Sequence, residues 1–341
     1  MKSPDFILAI RHLARDTFRQ SLSSGIFWVM IAVTTVCTVF CLSVSISGDV
    51  RLPYEDRTFR ASPEFLRELP KEVSKLNPDY DKIKKENPEL DVLKGTLYLA
   101  FGAIPVEIPR DREDAVHFLE LVLAAGVADS AGLLLILLWT AGFLPSFLDP
   151  TASAVLLAKP VPRWSLLVGK YFGVLGFVTL QAFLFVFGTW AALGIKTNVW
   201  DRSYLLCIPI LVLHFSAFYS FSALLAVYTR NTVTCMFGSV AFWLGCLALN
   251  LGRHAMATGS STAISPLARW LVEAGYWIAP KPGDFGLLLY HALASDKSFS
   301  RLDILQSADR VVYLEISVLS SIVFAAVVLW LAAYRFVRAD Y

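Results

Sequence analysis

Long apolar runs alternate along this chain with short basic ones. Residues 25–48 contain no Asp, Glu, Lys or Arg, and residues 121–148 contain one such residue, Asp129. Residues 171–195, 203–229 and 231–252 contain none, and residues 316–334 close the series. About 20 apolar residues carry a helix across a ~30 Å hydrocarbon core, so each run is long enough to span. In lipid a helix satisfies its own backbone polar groups, which makes six transmembrane helices the expected count. The apolar stretch 285–294 is too short to cross and is expected outside the membrane or re-entrant. Between the first two runs lies a polar insert, residues 49–120, punctuated by Pro53, Pro63, Pro70, Pro78 and Pro88 and expected to form loops with short helices. Within it Leu97, Leu99 and Phe101 alternate with Thr96, Tyr98 and Ala100, a period of two that predicts a strand pair over 95–108. Residues 253–312 include Arg269-Trp270-Leu271-Val272-Glu273 and Tyr276-Trp277-Ile278, an aromatic and charged mixture suited to a short interfacial helix.

Charge sets the expected orientation. Lys2, Arg11, Arg15, Arg19, Lys159, Arg163, Lys170, Arg230, Arg335 and Arg338 flank the spans on one side, against Lys196 and Arg202 in the single short loop opposite. The positive-inside bias therefore places both termini in the cytoplasm, as an even number of crossings requires. The segments 49–120 and 253–312 are then extracytoplasmic. Composition agrees with a membrane protein: 56% of residues are hydrophobic and 17% charged, against about a quarter charged in soluble domains. A formal net charge of +2 lacks the basic excess of a nucleic-acid binder. Cys37, Cys41, Cys207, Cys235 and Cys246 all lie within apolar runs, so no disulfide framework is expected. The first apolar run begins late, after a charged stretch, and reads as a span rather than a cleavable signal peptide.

The chemistry expected of an enzyme is missing from the pattern. Gly169-Lys170-Tyr171 lacks the upstream glycine and the following Ser or Thr of a phosphate-binding loop. There is no His-Glu-x-x-His, Gly-x-Ser-x-Gly or Cys-x-x-Cys, and His12, His117, His214, His254 and His291 are scattered. No catalytic, cofactor or metal site is expected, and Cys37 and Cys41 read as small hydrophobes on one face of the first span. The intramembrane polar residues are Asp129 and His214. Asp129 is expected near the outer end of its helix, satisfied by water or a backbone donor, and His214 as a neutral ring bonded to a neighbouring helix. Gly169, Gly173 and Gly176 suit close helix packing.

The expected cytoplasmic face carries more signal. Phe6, Ile10, Leu13 and Thr17 fall on one helical stripe while Arg11, Arg15 and Arg19 recur on another, the pattern of a helix lying on an anionic lipid surface. In the loop after the second run, Asp149 can cap a helix that starts at Pro150. Val155, Leu156 and Leu157 supply an apolar knob, and Lys159-Pro160-Val161-Pro162-Arg163 turns the chain. An apolar anchor with a charged rim suits the groove of a partner protein.

Leu156-Leu157-Ala158-Lys159-Pro160-Val161-Pro162-Arg163 followed by Gly169-Lys170 resembles the signature of ABC-2 type transporter permeases, in particular the bacterial branch that includes the permease of nitrous-oxide reductase maturation. The closing Phe336-x-Arg338-x-Asp340-Tyr341 is similar to that branch's tail. The resemblance implies an all-α membrane protein with a six-helix ABC-2 (type V exporter-like) permease fold and a small extracytoplasmic α+β insert, located in the cytoplasmic (inner) membrane. It further implies a transporter half, an exporter, without an ATPase of its own: two permease copies pair with two copies of a separate ATPase subunit, which binds ATP and Mg. On this resemblance residues 149–165, with Asp149, Pro150, Val155, Leu156, Leu157, Lys159, Pro160, Pro162 and Arg163, form the coupling-helix loop. Residues 1–22, with Phe6, Ile10, Arg11, Leu13, Arg15 and Arg19, form the connecting helix. The remaining segments are 25–48, 121–148, 166–195, 203–229, 231–252 and 313–335 as spans and 336–341 as a cytoplasmic tail. The competing expectation is a membrane-anchored assembly scaffold acting through residues 49–120.

Overall fold

A computed structural model describes residue 19 and residues 22–47, 95–108, 112–148, 162–257, 265–294 and 314–338 of the chain. Among these described residues six helices are long and apolar enough to cross a membrane: Gly25–Ser43, Ala115–Phe147, Trp164–Thr197, Ser203–Thr229, Thr232–Met256 and Leu314–Arg338, spans one to six. The protein is a multi-pass membrane protein by this criterion.

Contacts fix the directions of the spans. Phe27 packs on Phe177 with ring centroids 5.5 Å apart, Gln181 Nε2 donates to Thr34 Oγ1 at 3.1 Å, and Gly188 faces Thr38, so spans one and three run parallel. Tyr171 reaches Ser216 and Thr189 reaches Tyr204, so spans three and four run antiparallel. Span four is the hub: 61% of its most apolar window is buried, against 17% for span one. Phe215, Phe218, Tyr219 and Tyr204 are almost fully enclosed along it. Hydrophobic transfer cannot drive this packing in lipid, so ring-on-ring fit and interhelical hydrogen bonds carry it. Trp139, Phe27, Phe143 and Phe177 form one such cluster, and the Trp139 indole N–H donates to Ser24 Oγ at 2.8 Å, which satisfies its one buried polar atom.

Span one is shorter than the apolar run predicts. Helix α1 (Gly25–Ser43) stops where Ser43 Oγ turns back on the Phe40 carbonyl, and Ser45–Ser47 becomes strand β1. The alternation of Ser45, Ile46 and Ser47 has the strand period, and β1 pairs antiparallel with β2 (Gly95–Leu99), which pairs with β3 (Ile104–Ile108). The strand pair predicted over 95–108 is thus the outer part of a three-stranded sheet. Its tight turn holds Ala100 and Phe101 at φ 50° and 59°, with Gly102 at φ 94°. The bundle end bearing this sheet is termed here the sheet end, and the opposite one, where spans two and three are joined through residues 149–161, the loop end.

Span two is compound: α2 (Arg112–Leu121), a π-helical stretch Val122–Gly132, α3 (Leu133–Thr140) and α4 (Phe143–Phe147). The π stretch, VLAAGVADSAG, carries Gly126 and Gly132, and glycine holds a regular α-turn only weakly. Span three is helix α5 (Arg163–Thr197), ended by Asn198 in the left-handed region. Span four is α6 (Cys207–Thr229) behind the 3₁₀ turn Ser203–Leu206, span five α7 (Thr232–Ala257).

Between spans five and six lie α8 (Pro266–Ile278) and α9 (Pro282–Ala294); span six is α10 (Leu314–Arg338). The short interfacial helix predicted around residues 269–278 has its counterpart in α8, capped by Ser265 Oγ on the Ala268 N–H and exposing Leu267, Trp270, Leu271 and Ile278. The short apolar stretch 285–294 lies in α9, which buries Phe285, Leu287, Leu289, Tyr290 and Leu293 against the sheet-end halves of its neighbours.

Candidate functional site

Asp129 and His214 meet inside the bundle. Asp129 projects from the π-helical stretch near the middle of span two and His214 from span four; they are 5% and 0% exposed, and His214 Nδ1 lies 2.5 Å from Asp129 Oδ1. This corrects the expectation of a carboxylate near the outer end of its helix, satisfied by water or a backbone donor. The span begins at Ala115 rather than 121, which moves Asp129 inward, and the partner is the His214 ring rather than water. A lone buried carboxylate would be strongly disfavoured, whereas a hydrogen-bonded carboxylate–imidazole pair offsets most of that desolvation cost. His214 is clamped by Phe285 of α9, stacked at 4.6 Å and 10°, and by Phe218 edge-on at 5.3 Å. Its second ring nitrogen, Nε2, has no hydrogen-bond partner among the described residues. With Nδ1 fixed by the carboxylate, Nε2 is the atom through which this pair could exchange a proton or hold a polar ligand.

Ala128 and Gly132, on either side of Asp129, line a cavity of about 80 Å³ between spans one to four. Its walls are apolar except at Thr34 and Gln181, which hydrogen-bond each other and leave Gln181 Oε1 without a partner among the described residues. The distorted stretch of span two therefore serves both features, presenting its only charge to span four and its small residues to the cavity.

A second polar cluster, which the sequence pattern did not reveal, ties the sheet-end termini of spans five and six together through Asp284. Asn250 Nδ2 donates to Asp284 Oδ1 at 2.9 Å and His254 Nε2 lies 3.1 Å from the same oxygen. Ser317 Oγ donates to Oδ2 at 2.6 Å, joined there by the Tyr276 hydroxyl. Burial pushes the Asp284 carboxyl up, but the hydrogen bonds from His254, Ser317, Tyr276 and Asn250 outweigh it and hold the group below the ordinary carboxylate range. Its place in the first turn of α9 favours the anion as well. Lys281 Nζ donates to Ser320 Oγ at 2.5 Å and sits over the Tyr276 ring at 4.8 Å, and burial lowers its ammonium to about 8. Arg253 lies 4.1 Å from the same Tyr276 ring centroid and 3.3 Å from Glu273 Oε2.

At the loop end, Asp149, Pro150, Val155, Leu156, Leu157, Lys159 and Pro160 lie outside the described residues, as do Phe6, Ile10, Leu13, Arg11 and Arg15. Arg19 is exposed and its carbonyl accepts from the Ser23 N–H. The points where the loop leaves the bundle are described. Leu144 and Leu148 before it, and Leu166 and Leu167 after it, are buried in one core cluster, with Pro162 at the cap of α5, where its carbonyl accepts from Ser165. Arg163 opens that helix. Lys170, counted among the flanking charges, is 4% exposed and faces the Phe143 ring at 5.9 Å; its stem packs inside the bundle. Arg335 and Arg338 lie over Tyr228 and Tyr334.

No protein-family model matches this chain, and no curated protein matches it.

Proposed function

We propose that this chain is the membrane-spanning permease subunit of an ATP-binding-cassette exporter, driven by a separate ATPase subunit that docks on residues 149–165. The reading rests first on the resemblance of Leu156–Arg163 and Gly169-Lys170 to the ABC-2 permease signature. The structural observation that carries it is the anchoring of that loop. Leu148 and Leu167, on its two sides, are both 0% exposed within the same core cluster. Because the residues on both sides of the loop sit in one packed core, force delivered at those two points tilts spans two and three. The cavity beside the π-helical stretch lies between those two spans and spans one and four, where such a tilt would change its size.

For coupling, the closed ATPase dimer must bind one permease conformation better than the other; without that difference no motion is driven. Two permease copies, two ATPase copies, cytoplasmic termini and an inner-membrane location complete the reading. The test is co-purification with the ATPase encoded by the adjacent gene, recognisable by its phosphate-binding loop. Exchange of Leu156 and Leu157 for Asp should abolish the association while membrane insertion is retained. Retained association, or ATP hydrolysis by the isolated chain, overturns the proposal.

A further inference from the structure

His117, Glu120 and Asp201 bring three ligand atoms within 4.8 Å of one another at the sheet end. His117 and Glu120 stand three residues apart on one face of α2, and Asp201 comes from the connection between spans three and four. All three are buried, at 5%, 1% and 4% exposure. His117 Nδ1 lies 3.2 Å from Asp201 Oδ2 and 3.4 Å from Glu120 Oε2. Neither contact has hydrogen-bond geometry: among the described residues, Nδ1, both Glu120 oxygens and Asp201 Oδ2 all lack a hydrogen-bond partner.

An internal salt bridge accounts poorly for this arrangement. Nδ1 carries at most one proton, which cannot serve two carboxylates, and a buried carboxylate with neither oxygen bonded is costly. The spacing fits a metal ion better. Four ligands arranged tetrahedrally at ~2.1 Å from a zinc ion stand ~3.4 Å apart, the separation seen here between the nitrogen and each oxygen. Two carboxylates and a neutral imidazole carry the two negative charges that a divalent cation neutralises. With no thiolate in the set, the donors suit Zn²⁺ and its first-row neighbours rather than a soft monovalent ion.

The outer supports are also in place. Asp201 Oδ1 accepts from the Ser203 N–H at 2.8 Å, which fixes the carboxylate and turns Oδ2 towards His117. The Asp201 carbonyl accepts from the Trp190 indole N–H at 2.7 Å, and Trp190 packs against Trp200 at 4.9 Å.

We infer that His117, Glu120 and Asp201 form a divalent-cation site of the Zn²⁺ class that clasps span two to the connection between spans three and four. The inference stands apart from the transport reading, because it needs no ATPase and no cargo. The site escaped sequence inspection because Asp201 lies far along the chain from the His117-x-x-Glu120 pair, and that pair alone carries little signal.

The test uses the full chain in detergent micelles, purified through a tag without histidine and stripped with chelator. Zn²⁺ should raise its melting temperature, and Co²⁺ substituted for Zn²⁺ should give the intense visible absorption of a four-coordinate ion. Bound zinc, measured by elemental analysis, should fall by one equivalent per chain in Glu120→Gln and in Asp201→Asn, but not in Asp284→Asn. Affinity should drop by more than the ~10–100-fold that loss of an outer-shell partner costs. Should a variant fail to fold, the wild-type chain still decides: absence of both the zinc-induced shift and the Co²⁺ spectrum overturns the inference. Equal zinc content in folded wild-type and Glu120→Gln protein overturns it as well.

Discussion

A β-carbon placed on Gly283 would stand 1.9 Å from Oδ1 of Asn250. Asn250 is therefore packed onto bare backbone, and its amide can reach Asp284 at 2.9 Å only because residue 283 has no side chain. Gly283→Ala should push the Asn250 side chain away and break that bond. Overpacking and the lost bond together should cost about 1–3 kcal/mol. In the double variant Asn250→Ala with Gly283→Ala the clash is gone, so the two effects should be clearly less than additive. Thermal unfolding in detergent of the two single variants and the double variant measures this; strict additivity would show that the contact does not matter.

The Asp129–His214 pair makes a different prediction, because removing one partner strands the other. Asp129→Leu should destabilise the protein by about 3–5 kcal/mol, the cost of breaking a buried pair. Replacing both residues, Asp129→Leu with His214→Phe, should cost much less, since two apolar groups leave nothing buried and unpaired. The cycle is read from unfolding midpoints and the retained monodisperse fraction. A double variant as unstable as the single one would mean that the pair is not the unit that matters.

Not every buried hydrogen bond should matter so much. Tyr171 donates to the Ser216 carbonyl at 2.8 Å between spans three and four. Within membranes such bonds average ~0.6 kcal/mol, because the unfolded helices also find partners. Tyr171→Phe keeps the ring stacked on Tyr219 at 5.3 Å and should lower stability by that small amount. A loss of several kcal/mol would point to a further role for the hydroxyl.

Six helices of spanning length were legible because each is a continuous apolar run, and continuity survives any ignorance of the partner. The strand pair was legible from the alternation of Leu97, Leu99 and Phe101 with their neighbours. What the pattern hid is of another kind. The five histidines looked scattered, yet His117, His214 and His254 each face a carboxylate supplied by another segment, at Asp201, Asp129 and Asp284. Chain spacings of 85 and 30 residues for the last two carry no local signature. The depth of Asp129 was misread because the charges of Arg112–Leu121 hid a helix that continues span two outward. For α9 the pattern leaves two placements open, outside the membrane or re-entrant. Its length rules out crossing, but a short apolar helix can still be enclosed by longer neighbours, and composition does not separate the two situations.

Lys281 carries the last prediction. It is a cation placed among rings and hydroxyls, with Asp284 as the charge that favours it and Arg253 as one that opposes it. Burial lowers its ammonium from 10.5 to about 8, so the folded protein binds the proton less tightly than the unfolded chain does. Between about pH 8 and 10.5 the unfolded state holds more protons, and stability contributed by this group rises with pH across that window. Below pH 8 the charged amine is a standing cost. Lys281→Met, which keeps the length of the stem but removes the charge, should therefore be at least as stable as wild type at pH 7. Its advantage should shrink steadily as both proteins are taken from pH 8 to pH 10, because the wild-type amine then becomes neutral in place. Comparing the two melting curves at each pH cancels the titration of every other group. An advantage that stays constant over that range would show that the amine is solvated and that its contacts with Ser320 and Tyr276 do not enclose it.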